Sequence, residues 1–138
     1  MNLASAVIDK RKSELLICDE IKVEIPIGEL HSLQTKEVIV GIRPEHLQGA
    51  LKDSSPDGKV LVKVKNVEVL GNETIFTFLL GENEWMAKWS GQWQITIGDE
   101  IPIILKYESL CLFDVTSNEL IKKPSDMQNY VFSKEVLR

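Results

Sequence analysis

The sequence is poor in cysteine, in basic charge and in long apolar runs, and each shortage excludes a class of protein. Cys18 and Cys111 lie far apart without C-x-x-C spacing, so we expect buried free thiols and no zinc or disulfide framework. The 16 basic and 21 acidic residues give a net charge of -5, the opposite of a surface that binds nucleic acid. No apolar run is long enough to span a bilayer, so we predict no direct membrane insertion.

Nucleotide-binding and catalytic motifs are also absent from the sequence. The Gly58-Lys59 step has Asp53 where a P-loop needs glycine, and Val60 where it needs Ser or Thr to hold magnesium. No Gly-rich dinucleotide motif and no G-x-S-x-G elbow is present. His31 and His46 lie apart from any cysteine, which predicts no metal site. We therefore predict a chain that is not an enzyme and holds no cofactor.

Short apolar segments separated by Gly, Asn and Asp dominate the chain, and this pattern predicts an all-β fold of about ten short strands with little helix. Its apolar content of 43% is sufficient for a core. A helical turn is predicted over 28–34 and a hairpin turn over 10–12. We predict a β-rich domain over 1–121 and a C-terminal tail over 122–138 with a weak helical pattern. The predicted strands are 4–9, 14–18, 21–26, 37–43, 59–69, 74–80, 85–89, 100–106, 110–114 and 119–121.

The longest predicted strand, 59–69, changes phase in its middle. Val62 and Val64 are apolar at even positions, whereas Val67 and Val69 are apolar at odd positions. A one-residue slip would turn the second half of the strand inside out unless a β-bulge absorbs one residue or the strand passes from one sheet to another, as barrel strands do at corners. We therefore predict a bent strand near Asn66, with a bulge as one of the two explanations.

Residues 38–47 combine a strand that is apolar on both faces with a charged corner. Pro44 ends the strand and keeps Arg43 extended, with Glu45 and His46 close behind. The simplest interpretation is a corner held by an ion pair between Arg43 and Glu45. No catalytic role follows from it.

Three tryptophans recur at every fourth residue, and two of them lie on one face of a predicted strand. Trp85 and Trp89 share that face, and Trp93 follows the strand. Stacking on nucleic-acid bases would need basic neighbours, but Lys88 is the only lysine between Trp85 and Trp89, and acidic residues such as Glu84 flank the segment. We predict that this segment packs in the core or forms a protein interface.

The same stretches carry a family resemblance. The G-I-R-P-E-H-L sequence over 41–47 is followed in order by V-L-G-N-E-T over 69–74, Gly98-Asp99, and L-F-D over 112–114. These landmarks resemble the C-terminal TOBE (transport-associated OB) domain of sugar-importing ABC transporter ATPases, with the maltose and glycerol-phosphate type most similar. The resemblance covers roughly 1–121, although 48–58 and 82–97 depart from the common pattern, which leaves the transported solute open.

The resemblance implies an OB-like barrel that acts as a non-catalytic regulatory and dimerisation domain. It implies an ATPase domain in the same parent polypeptide, which would hold ATP and magnesium, and a second copy of this domain as partner. It also implies indirect contact with permease subunits, a regulatory protein as a further partner, and a place in the cytoplasm at the inner face of the membrane. The signature residues that would contact a partner or ligand are Arg43, Glu45, His46, Gly71, Asn72 and Glu73.

Two alternatives remain open at this point. Related TOBE modules hold oxyanions, so the domain could instead sense an oxyanion or a sugar, with Arg43 and the Gly71-Asn72 corner as the anion-binding pair. A nucleic-acid-binding OB fold is the third hypothesis, and the acidic charge disfavours it.

Overall fold

The computed structural model describes residues 1–30, 33, 35–50 and 58–124, and strands account for most of these residues. All ten predicted strands are present, and the two-residue β5 is an additional one that the sequence pattern did not reveal. The predicted all-β class with little helix is confirmed. The strands are β1 (Asn2–Asp9), β2 (Glu14–Ile17), β3 (Ile21–Glu24), β4 (Glu37–Ile42), β5 (Gln48–Gly49), β6 (Lys59–Leu70), β7 (Glu73–Leu80), β8 (Asn83–Ser90), β9 (Glu100–Ile104), β10 (Cys111–Asp114) and β11 (Leu120–Lys122).

Helical structure among the described residues is limited to short pieces. Helix α1 covers Ile27–Leu30, and two 3₁₀ turns cover Pro44–His46 and Tyr107–Ser109. The helical turn predicted over 28–34 therefore corresponds to α1, and residues 31, 32 and 34 lie outside the described residues. No helix in the described ranges is long and apolar enough to cross a membrane.

The first sheet has six antiparallel strands in the order β11-β10-β4-β1-β2-β3. Its central strand β1 alternates buried and exposed residues, which is the pattern of a sheet with one face on the core. The predicted turn at 10–12 joins β1 to β2, and the Asp9 carboxylate accepts hydrogen bonds from the amides of Arg11 (3.0 Å) and Lys12 (3.2 Å). The Asp9 side chain thus holds this basic turn in place.

The second sheet has five antiparallel strands in the order β5-β9-β6-β7-β8. Its long strand β6 pairs with β9 along its first half and with β7 along its second half. The register shifts between Val64 and Asn66, so Lys65 is the additional residue of a bulge. The predicted bulge is confirmed, although Val69 at the far end is 50% exposed and does not continue the buried row.

A single cluster of buried apolar side chains joins the two sheets. Ile8 and Val40 contribute to it from the six-stranded sheet, and Phe76, Phe78 and Trp85 contribute from the five-stranded sheet. Burial of the large aromatic side chains of the five-stranded sheet against the aliphatic side chains of the six-stranded sheet is the main apolar contribution to stability that links them.

The structure corrects several boundaries. Cys18, which the sequence placed in a strand, lies in the turn after β2 with a φ of 52° and is only half buried, whereas Cys111 is buried in β10; both thiols are free. Strand β11 extends to Lys122, one residue beyond the predicted end of the β-rich region. Of the predicted tail, residues 125–138 and their helical pattern lie outside the described residues.

Candidate functional site

The signature corner begins where β4 ends. Arg43 is extended and exposed, with φ -75° and ψ 144°, as the following proline requires. The amide of His46 donates to the carbonyl of Arg43 (2.9 Å), which closes the 3₁₀ turn and buries His46. The ion pairs between described residues are Lys65–Glu84 and Lys88–Glu73, so the predicted pair between Arg43 and Glu45 is not formed. The hydrogen-bonded backbone, together with the fixed φ of Pro44, shapes this corner.

Two tryptophans of β8 attach the five-stranded sheet to the other sheet. The indole N–H of Trp89 donates to the carbonyl of Leu47 (2.8 Å), the last residue of the signature corner. The indole N–H of Trp85 donates to the carbonyl of Leu3 on β1 (2.9 Å). Each ring therefore buries apolar area and also satisfies a main-chain carbonyl, which belongs to β1 of the opposite sheet for Trp85 and to the segment between β4 and β5 for Trp89. Both side chains have a structural role, and Trp85 is buried too deeply to contact a partner.

Asn2 makes a third connection between the sheets, and sequence reasoning missed it. Its side-chain amide donates to the carbonyl of Met86 (2.8 Å), and its side-chain oxygen accepts from the amide of Met86 (2.8 Å). Asn2 occupies the inward phase of β1, ahead of Ala4 and Ala6. A polar residue in the first inward position of an otherwise apolar row was the available signal, because a buried amide needs hydrogen-bond partners.

The second landmark of the resemblance, V-L-G-N-E-T over 69–74, forms the turn between β6 and β7. Gly71 has a φ of +54° in the two-residue turn between β6 and β7. The buried hydroxyl of Thr74 donates to the carbonyl of Gly91 (2.8 Å) and accepts from the amide of Trp93 (2.9 Å). The amide of Gly91 also donates to the carbonyl of Asn72. This landmark thus fixes the position of Trp93.

The two remaining landmarks are also turns held by an aspartate. The Asp99 carboxylate accepts from the amide of Thr96 (2.8 Å), and the Asp114 carboxylate accepts from the amides of Thr116 (2.8 Å) and Ser117 (3.0 Å). These hydrogen bonds from the Ser117 and Thr116 amides lower the pKa of Asp114. Each of the four landmarks therefore lies at a corner of the fold.

An aromatic series runs from the core to the surface and ends at Trp93. Phe76 packs edge-on against Trp89 at 4.9 Å between ring centroids, and Trp89 packs edge-on against Trp93 at 5.2 Å. Trp93 is 52% exposed. Val69, which pairs with Thr74 across the β6–β7 hairpin, is 50% exposed. Of the three tryptophans predicted for an interface, Trp93 offers the most surface. We call Val69, Leu70 and Trp93 the hairpin-end surface.

The predicted anion-binding pair has no common hydrogen-bond network. Glu73 pairs with Lys88 at 3.1 Å, and the carbonyl of Gly71 accepts from the side chain of Gln92 (2.9 Å). Among the described residues, no hydrogen bond or ion pair joins Arg43 to Gly71 or Asn72. The described contacts therefore do not join Arg43 and the Gly71-Asn72 turn into one anion-binding site.

A broader apolar surface, which sequence reasoning missed, covers the outward side of the six-stranded sheet. The register places Ile39 opposite Phe113, and Phe113 opposite Leu120. Leu3 (49% exposed) and Val7 (39% exposed) lie on the same side of β1. We call this set the outer sheet face. Its signal in the sequence was weak, because exposed and buried positions of these strands are both apolar.

Two ionisable side chains are affected by burial. Burial raises the pKa of Tyr107 to about 12, and the nearby Glu29 carboxylate adds to the effect. Burial also raises the pKa of the Cys18 thiol, while a hydrogen bond from Asn83 opposes this. Within the described ranges, no group of three or more His, Cys, Asp or Glu side chains is placed to hold a metal ion.

This chain is similar in sequence to a known protein family and to several characterised proteins. Residues 1–47 match the family model of the MalK OB fold domain. The chain is 28% identical over 129 residues to the sn-glycerol-3-phosphate import ATP-binding protein UgpC of Chromobacterium violaceum, an alignment that covers 93% of this chain and 34% of the relative. It is 36% identical over 89 residues to the sulfoquinovosyl glycerol transport ATP-binding protein SmoE of Agrobacterium fabrum, covering 64% of this chain and 24% of the relative. The chain thus spans about a third or less of the length of these relatives.

A solved structure shares the fold at low sequence identity. The cytoplasmic molybdate-binding protein ModG, in a form with molybdate bound, superposes with a TM-score of 0.60 and 14% identity, covering 80% of this chain and 94% of that one. The predicted resemblance is confirmed, since the family match and the named relatives point to the same group of proteins. This chain is homologous to the C-terminal OB-fold, TOBE-like region of the ATP-binding subunits of sugar-type and glycerol-phosphate-type ABC transporters.

Proposed function

We propose that this chain is a non-catalytic regulatory and dimerisation domain of an ABC importer ATPase that serves carbohydrate-type solutes. The observation that supports the proposal is the homology to importer ATP-binding subunits in a chain whose signature residues all form structural corners. The chain itself lacks a phosphate-binding loop. We therefore expect the purified chain neither to hydrolyse ATP nor to bind it.

In this proposal the domain acts through geometry. An ATPase domain of the same parent polypeptide binds ATP and magnesium, and permease subunits contact that ATPase domain on the cytoplasmic side of the membrane. Two copies of the present domain hold each other and so keep two ATPase domains together through opening and closing. A regulatory protein that binds this domain shifts the opening equilibrium by its difference in affinity for the two states.

We place the pairing contact on the outer sheet face. Apolar side chains there lie on four neighbouring strands, although Ser5 and Glu37 interrupt them, whereas the hairpin-end surface depends on one tryptophan and two aliphatic side chains. A largely apolar sheet face suits a two-fold interface, because the same patch serves both copies. The contact can be weak in the isolated domain and still form when the ATPase domains hold two copies close together.

Sedimentation over a wide concentration range tests this placement. Leu3→Glu adds a charge to the outer sheet face, Trp93→Glu adds one to the hairpin-end surface, and Leu79→Glu is the matched control. These three side chains are 49%, 52% and 51% exposed, so each change should be similarly tolerated by the fold.

We expect only Leu3→Glu to shift self-association to higher concentration. A shift confined to Trp93→Glu would place the pairing on the tryptophan segment predicted from sequence. If the wild-type chain is monomeric at every concentration, and Leu3→Glu and Trp93→Glu both leave pairing of a parent ATP-binding subunit unchanged, the dimerisation role is wrong.

A further inference from the structure

A groove of about 570 Å³ opens between the β1–β2 turn and the residues that lead into β4. It is lined by Val7 and Ile8, of which Val7 is partly exposed and Ile8 is buried, and by the cations Lys10, Arg11 and Lys36. This volume lies in the range of pockets that hold small organic ligands, which is about 300 to 1,000 Å³. None of the residues proposed above for contact with a partner or ligand, apart from Val7, lines this groove.

Hydrogen bonds to backbone amides fix both sides of the groove. The amide of Ile8 donates to the carbonyl of Lys36 (2.8 Å), which joins the end of β1 to the start of β4. On the other side, the Asp9 carboxylate holds the amides of Arg11 and Lys12. The two basic stretches, 26 positions apart along the sequence, are therefore brought to one place by the β1–β4 pairing.

The groove is positively charged on a chain that is negatively charged overall. Three cations line it, and Asp9 is the one carboxylate among the lining residues that the structure describes, whereas the whole chain has a net charge of -5. The Asp9 carboxylate is occupied by the amides of its own turn. The ion pairs in the described part of the chain involve other lysines, so Lys10, Arg11 and Lys36 are available for an external anion.

We propose that this groove binds a small organic phosphate, a phosphate monoester on a polar body about the size of a hexose. A phosphate monoester carries a charge of about -1.5 to -2 at neutral pH, which matches a rim of three cations and one carboxylate. Thr35 lines the groove beside Lys36, and its hydroxyl already donates to the carbonyl of Glu37 (3.1 Å), so the oxygen of that hydroxyl remains an acceptor for a ligand hydroxyl. The partly exposed side chain of Val7 provides an apolar contact for the carbon skeleton of the ligand. This site does not depend on the dimerisation proposed above.

Binding is tested by amide NMR shifts of the full 138-residue chain, with glucose 6-phosphate as the probe. Glucose and inorganic phosphate are titrated in parallel at equal ionic strength. We expect saturable shifts concentrated in Ile8–Lys12 and Lys36 with glucose 6-phosphate, shifts at least about threefold weaker with inorganic phosphate, and none with glucose. Binding should weaken as salt is raised, because the site is exposed to solvent.

Two matched double variants distinguish specific binding in the groove from nonspecific attraction of the anionic ligand to surface lysines. Lys10→Ala/Lys36→Ala should weaken binding about tenfold, whereas Lys63→Ala/Lys106→Ala removes the same charge from exposed positions elsewhere and should leave the affinity within about twofold. Equal unfolding temperatures of the two double variants would show that both are folded. The proposal is overturned by an absence of saturable shifts, by equal affinity for inorganic phosphate, or by equal losses in the two double variants.

Discussion

The indole Nε1 of Trp89 lies 2.8 Å from the carbonyl oxygen of Leu47, 42 residues earlier in the chain. This hydrogen bond joins the tryptophan strand of the five-stranded sheet to the end of the G-I-R-P-E-H-L corner, which connects β4 of the other sheet to β5. Gly49 lies close to the same ring, since a Cβ placed on it would meet the indole at 3.4 Å. The signature corner and the tryptophan segment, which appear as separate features of the sequence, therefore form one structural unit.

Trp89→Phe should destabilise the domain by about 1 to 3 kcal/mol. The phenylalanine ring retains much of the contact with Phe76 but leaves the Leu47 carbonyl without its donor, and an unsatisfied buried acceptor has a cost of this order. Urea unfolding measures the change. The control is Trp93→Phe, because the Trp93 indole donates to the Ser90 carbonyl at an exposed position where water can replace it. A cost for Trp93→Phe equal to that for Trp89→Phe would contradict this account.

Gly71→Val should cost about 1 to 3 kcal/mol through backbone strain alone. The φ of Gly71 is +54°, but a Cβ there would meet nothing within 4 Å, so steric overlap makes no contribution. Gly71→Asn should cost much less, because asparagine adopts this conformation more readily. Gly28→Ala serves as the control, since it has equal space and no positive φ. Thermal unfolding of the three variants tests the order, and equal costs for valine and asparagine would exclude strain as the cause.

Arg43→Ala should change the free energy of unfolding by no more than about 0.5 kcal/mol. Arg43 is exposed, and the ion pair with Glu45 that the sequence suggested is not formed. Substitution of the next residue, Pro44→Ala, should cost more, because proline fixes the φ with which the 3₁₀ turn begins. Chemical denaturation of both variants measures the difference. A loss of more than about 1 kcal/mol for Arg43→Ala would show that the arginine side chain supports the corner.

Stability should fall between pH 10 and pH 12 because of Tyr107. Burial raises the pKa of this phenol from 10.0 to about 12, so the folded chain keeps a proton that the unfolded chain has released. The contribution is fully present below pH 10 and is lost as the pH rises through 12. The Lys122 ammonium lies 4.7 Å from the Tyr107 ring centroid, and the phenylalanine variant keeps that ring. Tyr107→Phe should therefore have a smaller decrease in unfolding midpoint over this interval. Parallel curves for the two proteins would contradict the prediction.

The local features of this fold were predictable from sequence because they depend on neighbouring residues. Short apolar segments separated by Gly, Asn and Asp located all ten predicted strands, because these turn-forming residues mark where a strand ends. The phase change near Asn66 predicted a bend in this strand, where the structure has a bulge. The four ordered landmarks also sufficed to identify the homologous transporter subunits.

Only the tertiary structure decided how each apolar or charged residue is used. Trp85 and Trp93 follow the same sequence spacing, yet one is buried and the other is half exposed, because Trp85 lies on β8 against β1 of the six-stranded sheet, whereas Trp93 lies beyond the end of β8. Likewise Lys36 lies beside Lys10 only because β4 pairs with β1. Burial and local charge depend on which distant segments meet in space, and that pairing is set by the packing of both sheets around one core rather than by any short stretch of the chain.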